Sequence, residues 1–126
     1  MNPGRREGGG PIRATAMNEP SKLTIDRDFA GGNIVVEGID ADRVRLRQDW
    51  RNCTEWWFYW QFRVRGAAGR TIRFDFTDGD VFGARGPCFS FDGLTWRWLG
   101  REVVIDNGFS YDFPPDLDEA YFSFCI

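Results

Sequence analysis

This chain contains no histidine, which removes more chemistry than any other feature of its composition. Without it there is no Ser-His-Asp or Cys-His nucleophile and no histidine-ligated zinc. Cysteine is scarce as well: Cys53, Cys88 and Cys125 are an odd set with no CxxC spacing. That pattern fits free thiols in a reducing compartment better than a disulfide framework, so the chain reads as cytoplasmic. No apolar run approaches the roughly 18 residues of a membrane span, and the N-terminus has no apolar signal core. A basic excess is lacking too. The formal net charge is -3, whereas phosphate binding shows as a clear surplus of Lys and Arg, so neither a membrane nor nucleic acid is expected as a partner.

What is present is apolar and aromatic. Hydrophobic residues make up 42% of the 126 residues and aromatic ones 17%, enough for one domain with a core that needs no disulfide or metal. The first twenty residues are an exception, rich in Gly, Pro and Arg. Residues 1–21 are therefore predicted to be a disordered tail, with Met17 as an alternative translation start, and residues 22–126 to be the folded domain.

Beyond the tail the dominant period is two. Val44 and Leu46 alternate with Arg43, Arg45 and Arg47, and Ile72, Phe74 and Phe76 alternate with Thr71, Arg73 and Asp75. Such segments are strands with one apolar and one wet face. Turn chemistry fills the gaps, at Gly31 and Gly32, GAAG at 66–69, DGD at 78–80, GARGP at 83–87, DG at 92–93, NG at 107–108 and PPD at 114–116. With no amphipathic helical window, this spacing predicts an all-β fold, an antiparallel β-sandwich or jelly roll of about eight or nine strands. In the stretch TEWWFYWQFRVRG, Trp56, Phe58, Trp60, Phe62 and Val64 fall on the core side, which leaves Trp57 and Tyr59 on a face that needs another cover.

Charge is segregated along the chain. Eight arginines stand against three acidic residues between Asp42 and Arg73, while Glu102 to Ile126 holds six acidic residues and no basic one. If their strands are neighbours, Arg45, Arg47, Arg63, Arg65 and Arg73 form a basic patch, either a solvated sheet face or a docking surface for an acidic partner. Carboxylates are plentiful, but no spacing singles out a glycosidase-like pair. Asp78 and Asp80, like Asp116, Asp118 and Glu119, lack EF-hand spacing and read as turns.

The order of five segments carries a resemblance: LTIDRDFAGGNI, DRVRLRQDW, EWWFYWQFRVRGAAGRTIRFDFTDGD, SFDGLTWRWLG and DEAYFSFCI. Together, over about residues 22–126, they resemble the N-terminal domain of the cytosolic-type zinc carboxypeptidases. The stretch GARGPCFSFDGLTWRWLG is most like bacterial members, and the near-replacement of Lys by Arg suits a GC-rich bacterial genome. The resemblance implies a small sandwich that does no chemistry itself. In that family a His-x-x-Glu pair and a distant His hold the zinc in the following, catalytic domain. No catalytic residue, metal ligand or cofactor is therefore carried over to this chain. The implied partner is a carboxypeptidase catalytic domain, in cis or in trans, or a second copy, with Trp57, Tyr59, Trp96, Trp98 and Tyr121 as interface candidates. The alternative is a carbohydrate-binding module that stacks pyranose faces on Trp56 or Trp57 with Tyr59, or on Trp96 with Trp98.

Overall fold

A computed structural model describes residues 22–50 and 59–125; the predicted tail, Cys53, Trp56, Trp57 and Phe58 lie outside them. Among the described residues, alternating apolar side chains become nine strands in two sheets. The strands are β1 (Thr24–Asp26), β2 (Val35–Asp40), β3 (Arg43–Arg47), β4 (Gln61–Arg65), β5 (Thr71–Phe76), β6 (Cys88–Ser90), β7 (Arg97–Trp98), β8 (Gly108–Asp112) and β9 (Glu119–Ser123). One sheet has the order β1-β4-β9-β6-β7 and the other β2-β3-β5-β8. One 3-10 turn, Arg101–Val103, joins β7 to β8, and no α-helix occurs among the described residues. The all-β sandwich expected from the two-residue period is the observed architecture.

One pairing departs from the antiparallel expectation. β3 and β5 run parallel, with Val44 opposite Phe74 and Leu46 opposite Phe76. The chain crosses to the other sheet as β4 and returns, so β5 comes to lie beside β3 in the same direction. Period two reports which face a side chain takes; it says nothing of which strand lies next door.

The inward sets meet as a core dominated by rings. Val44, Leu46, Trp60, Phe62, Val64, Ile72, Phe74, Phe109, Ala120 and Phe122 have no exposed surface. Phe62 lies 5.3 Å from Phe74 across the sheets, and Phe122 lies 5.3 Å from both Phe74 and Phe109. Burying each such side chain is worth about 1.5–3 kcal/mol relative to exposure. Trp60 packs 4.6 Å from Phe76, and its indole N–H donates to the Val81 carbonyl at 2.9 Å. A buried indole thereby keeps its one donor satisfied.

Asn33 links the two sheets. Its backbone exchanges hydrogen bonds with Gln61 at the head of β4, at 2.8 and 3.0 Å. Its side-chain oxygen accepts from the Asp49 amide at 2.6 Å, and its Nδ2 donates to the Asp49 carbonyl at 3.1 Å, beyond the end of β3. The preceding Gly32 is required by crowding, because a Cβ there would stand 2.1 Å from the Arg27 carbonyl oxygen. The AGGN phrase is thus a structural clamp.

The two sheets differ in width. Phe89 of β6 stacks on Tyr111 of β8 at 4.7 Å, and β8 ends the four-stranded sheet. Among the described strands β7 therefore has none opposite it, and the β7 arm of the β6–β7 hairpin extends past the opposite sheet.

Candidate functional site

The outer face of the five-stranded sheet follows from its register. Arg63 pairs with Tyr121 and Tyr121 with Ser90, forming one row. Gln61 pairs with Ser123, Ser123 with Cys88 and Cys88 with Trp98, forming the next. Tyr59, Trp96, Trp98 and Tyr121, the interface candidates within the described residues, therefore share one face. All four are half-buried. Trp57 lies outside the described residues.

Tyr121 is the hub of this face. Phe29 meets it edge-on at 5.2 Å, and Trp96 meets it at 6.4 Å with ring planes 65° apart. The Gly93 backbone lies against its ring, where a Cβ would approach to 3.3 Å. The Trp96 and Tyr121 rings do not share a plane. At the other end, the Tyr59 hydroxyl donates to the Gly31 carbonyl at 2.8 Å and lies 2.7 Å from Gln61 Oε1.

Arg63 sits among these rings with its side chain only 14% exposed. It holds Asp26 through Nη2 at 2.8 Å and Nε at 3.2 Å, and its guanidinium lies 5.5 Å from the centre of the Phe29 ring. Burial alone would raise the Asp26 pKa. Hydrogen bonds from Arg63 and the Asp28 amide, with the charges of Arg63 and Arg65, outweigh it and leave the carboxyl below its ordinary value. Arg63 is raised in turn, chiefly by its bond to Asp26.

The five predicted arginines do not form one patch. Arg45, Arg47 and Arg73 lie on the four-stranded sheet, and Arg63 and Arg65 on the other, because β3 neighbours β2 and β5 whereas β4 neighbours β1 and β9. Most of them are also matched by carboxylates: Arg47 with Glu37 at 3.2 Å, Arg65 with Glu119 at 2.7 Å, and Arg73 with Asp75 at 2.7 Å. Asp75 also takes Arg43 at 2.5 Å. Burial pushes the Asp75 pKa up, but the hydrogen bonds from Arg43 and Arg73 pull it below its usual range. Arg45 lies over Gly38, where a Cβ would stand 2.3 Å from its Nη2. The outer face of the four-stranded sheet is thus largely a lattice of neutralised charge.

The remaining sequence candidates have structural posts. Asp78 accepts from the Trp50 indole at 2.7 Å, and Cys88 and Cys125 are free thiols. Burial, followed by the nearby Cys125, pushes the Cys88 thiol up to about 12, so it is protonated and unreactive at neutral pH. Among the described residues no group of three or more Cys, Asp or Glu is placed to hold a metal ion. No helix among them is long and apolar enough to cross a membrane.

The periodicity missed two strongly exposed apolar side chains. Phe91 is 59% and Leu94 86% exposed, both in the β6–β7 turn. The signal was available: Leu94 follows an Asp-Gly turn pair, where a side chain has no sheet face to join.

The same fold occurs in solved structures. A metallo-carboxypeptidase from Burkholderia cenocepacia matches with a TM-score of 0.66 and 23% identity, over 81% of this chain and 28% of that one. A putative carboxypeptidase from Burkholderia mallei ATCC 23344 matches with a TM-score of 0.67 and 22% identity, over 88% of this chain and 30% of that one. A metallo-carboxypeptidase from Pseudomonas aeruginosa, in complex with (2-guanidinoethylmercapto)succinic acid, matches with a TM-score of 0.60 and 22% identity, over 79% and 28%. The chain spans less than a third of each of these structures. The class is therefore the β-sandwich that bacterial metallocarboxypeptidases carry. Within it, this chain belongs to the cytosolic carboxypeptidase N-terminal domain family, whose model matches residues 25–125. No curated protein sequence matches it.

Proposed function

We propose that this chain is the noncatalytic N-terminal accessory domain of a zinc carboxypeptidase, seated on the catalytic body through the outer face of its five-stranded sheet. The observation that supports the seat is the contrast between the two outer faces. One is closed by Arg–Asp and Arg–Glu pairs. The other carries the Arg63–Asp26 and Arg65–Glu119 pairs but also gathers Phe29, Tyr59, Trp96, Trp98 and Tyr121, with Arg63 against the Phe29 ring and Arg85 over Trp98. Aromatic and Arg side chains are enriched at the centres of protein interfaces, whereas paired surface charges favour water. The domain supports folding of the enzyme and helps shape access to its active site, in a cytoplasmic setting.

The test uses the carboxypeptidase that carries this domain, with Trp98→Glu placed in the full-length protein and in the 126-residue chain. The seat predicts that calorimetry of the full-length variant resolves two unfolding transitions where the parent shows one, and that the isolated chain keeps its own midpoint. An unchanged single transition in the full-length variant contradicts it.

A further inference from the structure

The β6–β7 hairpin carries features that the proposed seat does not use. Leu94 stands out at its tip with 86% of its surface exposed. On the same hairpin, Phe89, Phe91, Thr95, Trp96 and Arg97 line a depression of about 160 Å³. A dry cavity of about 150 Å³ admits a benzene ring, so this depression has room for a leucine side chain. A knob and a hole a few residues apart on one element are the requirement for an isologous contact, in which each copy gives what the other receives.

The turn is built to hold its shape. Asp92 Oδ1 accepts from the amides of Leu94 at 2.8 Å and Thr95 at 2.9 Å, and lies 2.9 Å from the Ser90 hydroxyl. Leu94 is thereby presented on an ordered loop, which lowers the entropy lost on docking. Charges on the hairpin are also self-complementary. The Arg97 guanidinium lies over the Phe89 ring at 5.2 Å and has no carboxylate partner among the described residues, while the exposed Asp92 carries the opposite sign. A two-fold axis beside the turn would bring each Asp92 toward the other copy's Arg97 as Leu94 enters the depression. β7 is the outermost strand of its sheet among those described, so no described strand lies beyond the hairpin on that side.

We infer that the β6–β7 hairpin is a self-association surface, on which Leu94 of each copy fills the depression beside Phe91 and Trp96 of the other. The partner is a second copy of this chain; Leu94, Phe91 and Arg97 lie outside the seat proposed for the five-stranded face, and Trp96 is common to both surfaces.

Sedimentation velocity over a wide range of protein concentration tests this. The native chain is expected to move from 14.5 kDa toward twice that mass as concentration rises, more readily at low salt. Leu94→Asp and Thr95→Arg, which respectively spoil the knob and crowd the hole while keeping the backbone bonds to Asp92, are expected to stay monomeric with unchanged circular dichroism. Leu94→Met is expected to dimerise. A native chain that is monomeric throughout overturns the inference. Dimers of Leu94→Asp and Thr95→Arg as strong as the native ones place association on another surface and overturn it equally. If the native chain stays monomeric and the hairpin is instead protected by a carboxypeptidase catalytic body, the partner assignment is wrong.

Discussion

Trp60 shows how much a single residue carries. It has no exposed surface, meets Phe62, Phe76, Phe82 and Phe109, and spends its only polar atom on Val81. Trp60→Ala leaves a cavity and an unpaired carbonyl, with an expected cost of about 3–5 kcal/mol. Domains have only about 5–15 kcal/mol in total, so chemical denaturation should find the variant close to unfolded. Asn33→Ala removes the two side-chain hydrogen bonds to Asp49, at about 0.5–1.5 kcal/mol for each, and urea unfolding should show the loss. Asp26 gives a pH dependence. Its folded pKa lies below the ordinary 3.8, so the stability it contributes is present above about pH 4 and is lost as pH falls through the folded value. Asp26→Asn should flatten the fall in stability between about pH 5 and pH 2 relative to the parent. An equally steep fall would assign the acid sensitivity elsewhere.

At the scale of elements, turns are where the backbone is under tension. Ala41 joins β2 to β3 with φ 55°, a left-handed conformation that costs a non-glycine residue about 1–2 kcal/mol. Ala41→Gly should therefore raise stability by about 0.5–1 kcal/mol, after the added freedom of the unfolded chain is subtracted. A lowered melting temperature would contradict this. Strands were legible in the sequence because alternation is a one-dimensional signal. Val44, Leu46, Phe62, Val64, Ile72 and Phe74 read as inward and are inward. Partners were not legible. Nothing in the spacing of Arg45 and Arg63 says that one belongs to each sheet, because that depends on how the chain crosses between layers. A related shift occurs at the Asn-Gly pair at 107 and 108. The left-handed residues are Asp106 and Asn107, and Gly108 opens β8 instead, because a Cβ there would stand 2.3 Å from the Phe74 carbonyl oxygen. Apolar turn residues such as Phe91 and Leu94 escaped because period two has no value beyond a strand's end.

The whole molecule is a sandwich with unlike outer faces, and its charge pattern makes sense only at this scale. Arginines that look like an excess along the chain are distributed over two sheets, where carboxylates from distant segments neutralise most of them. The outer face of the five-stranded sheet is aromatic by contrast: the interface candidates among the described residues converge on it even though they come from the approach to β4, from β7 and from β9. Oxidative footprinting of Tyr59, Trp98 and Tyr121, in the 126-residue chain alone and in the carboxypeptidase proposed to carry it, tests the seat most directly. The account predicts that all three are protected in the larger protein, while residues on the outer face of β2-β3-β5-β8 react equally in both. Equal reactivity of the three aromatics in the two proteins, or protection of the ion-paired face in their place, would contradict it.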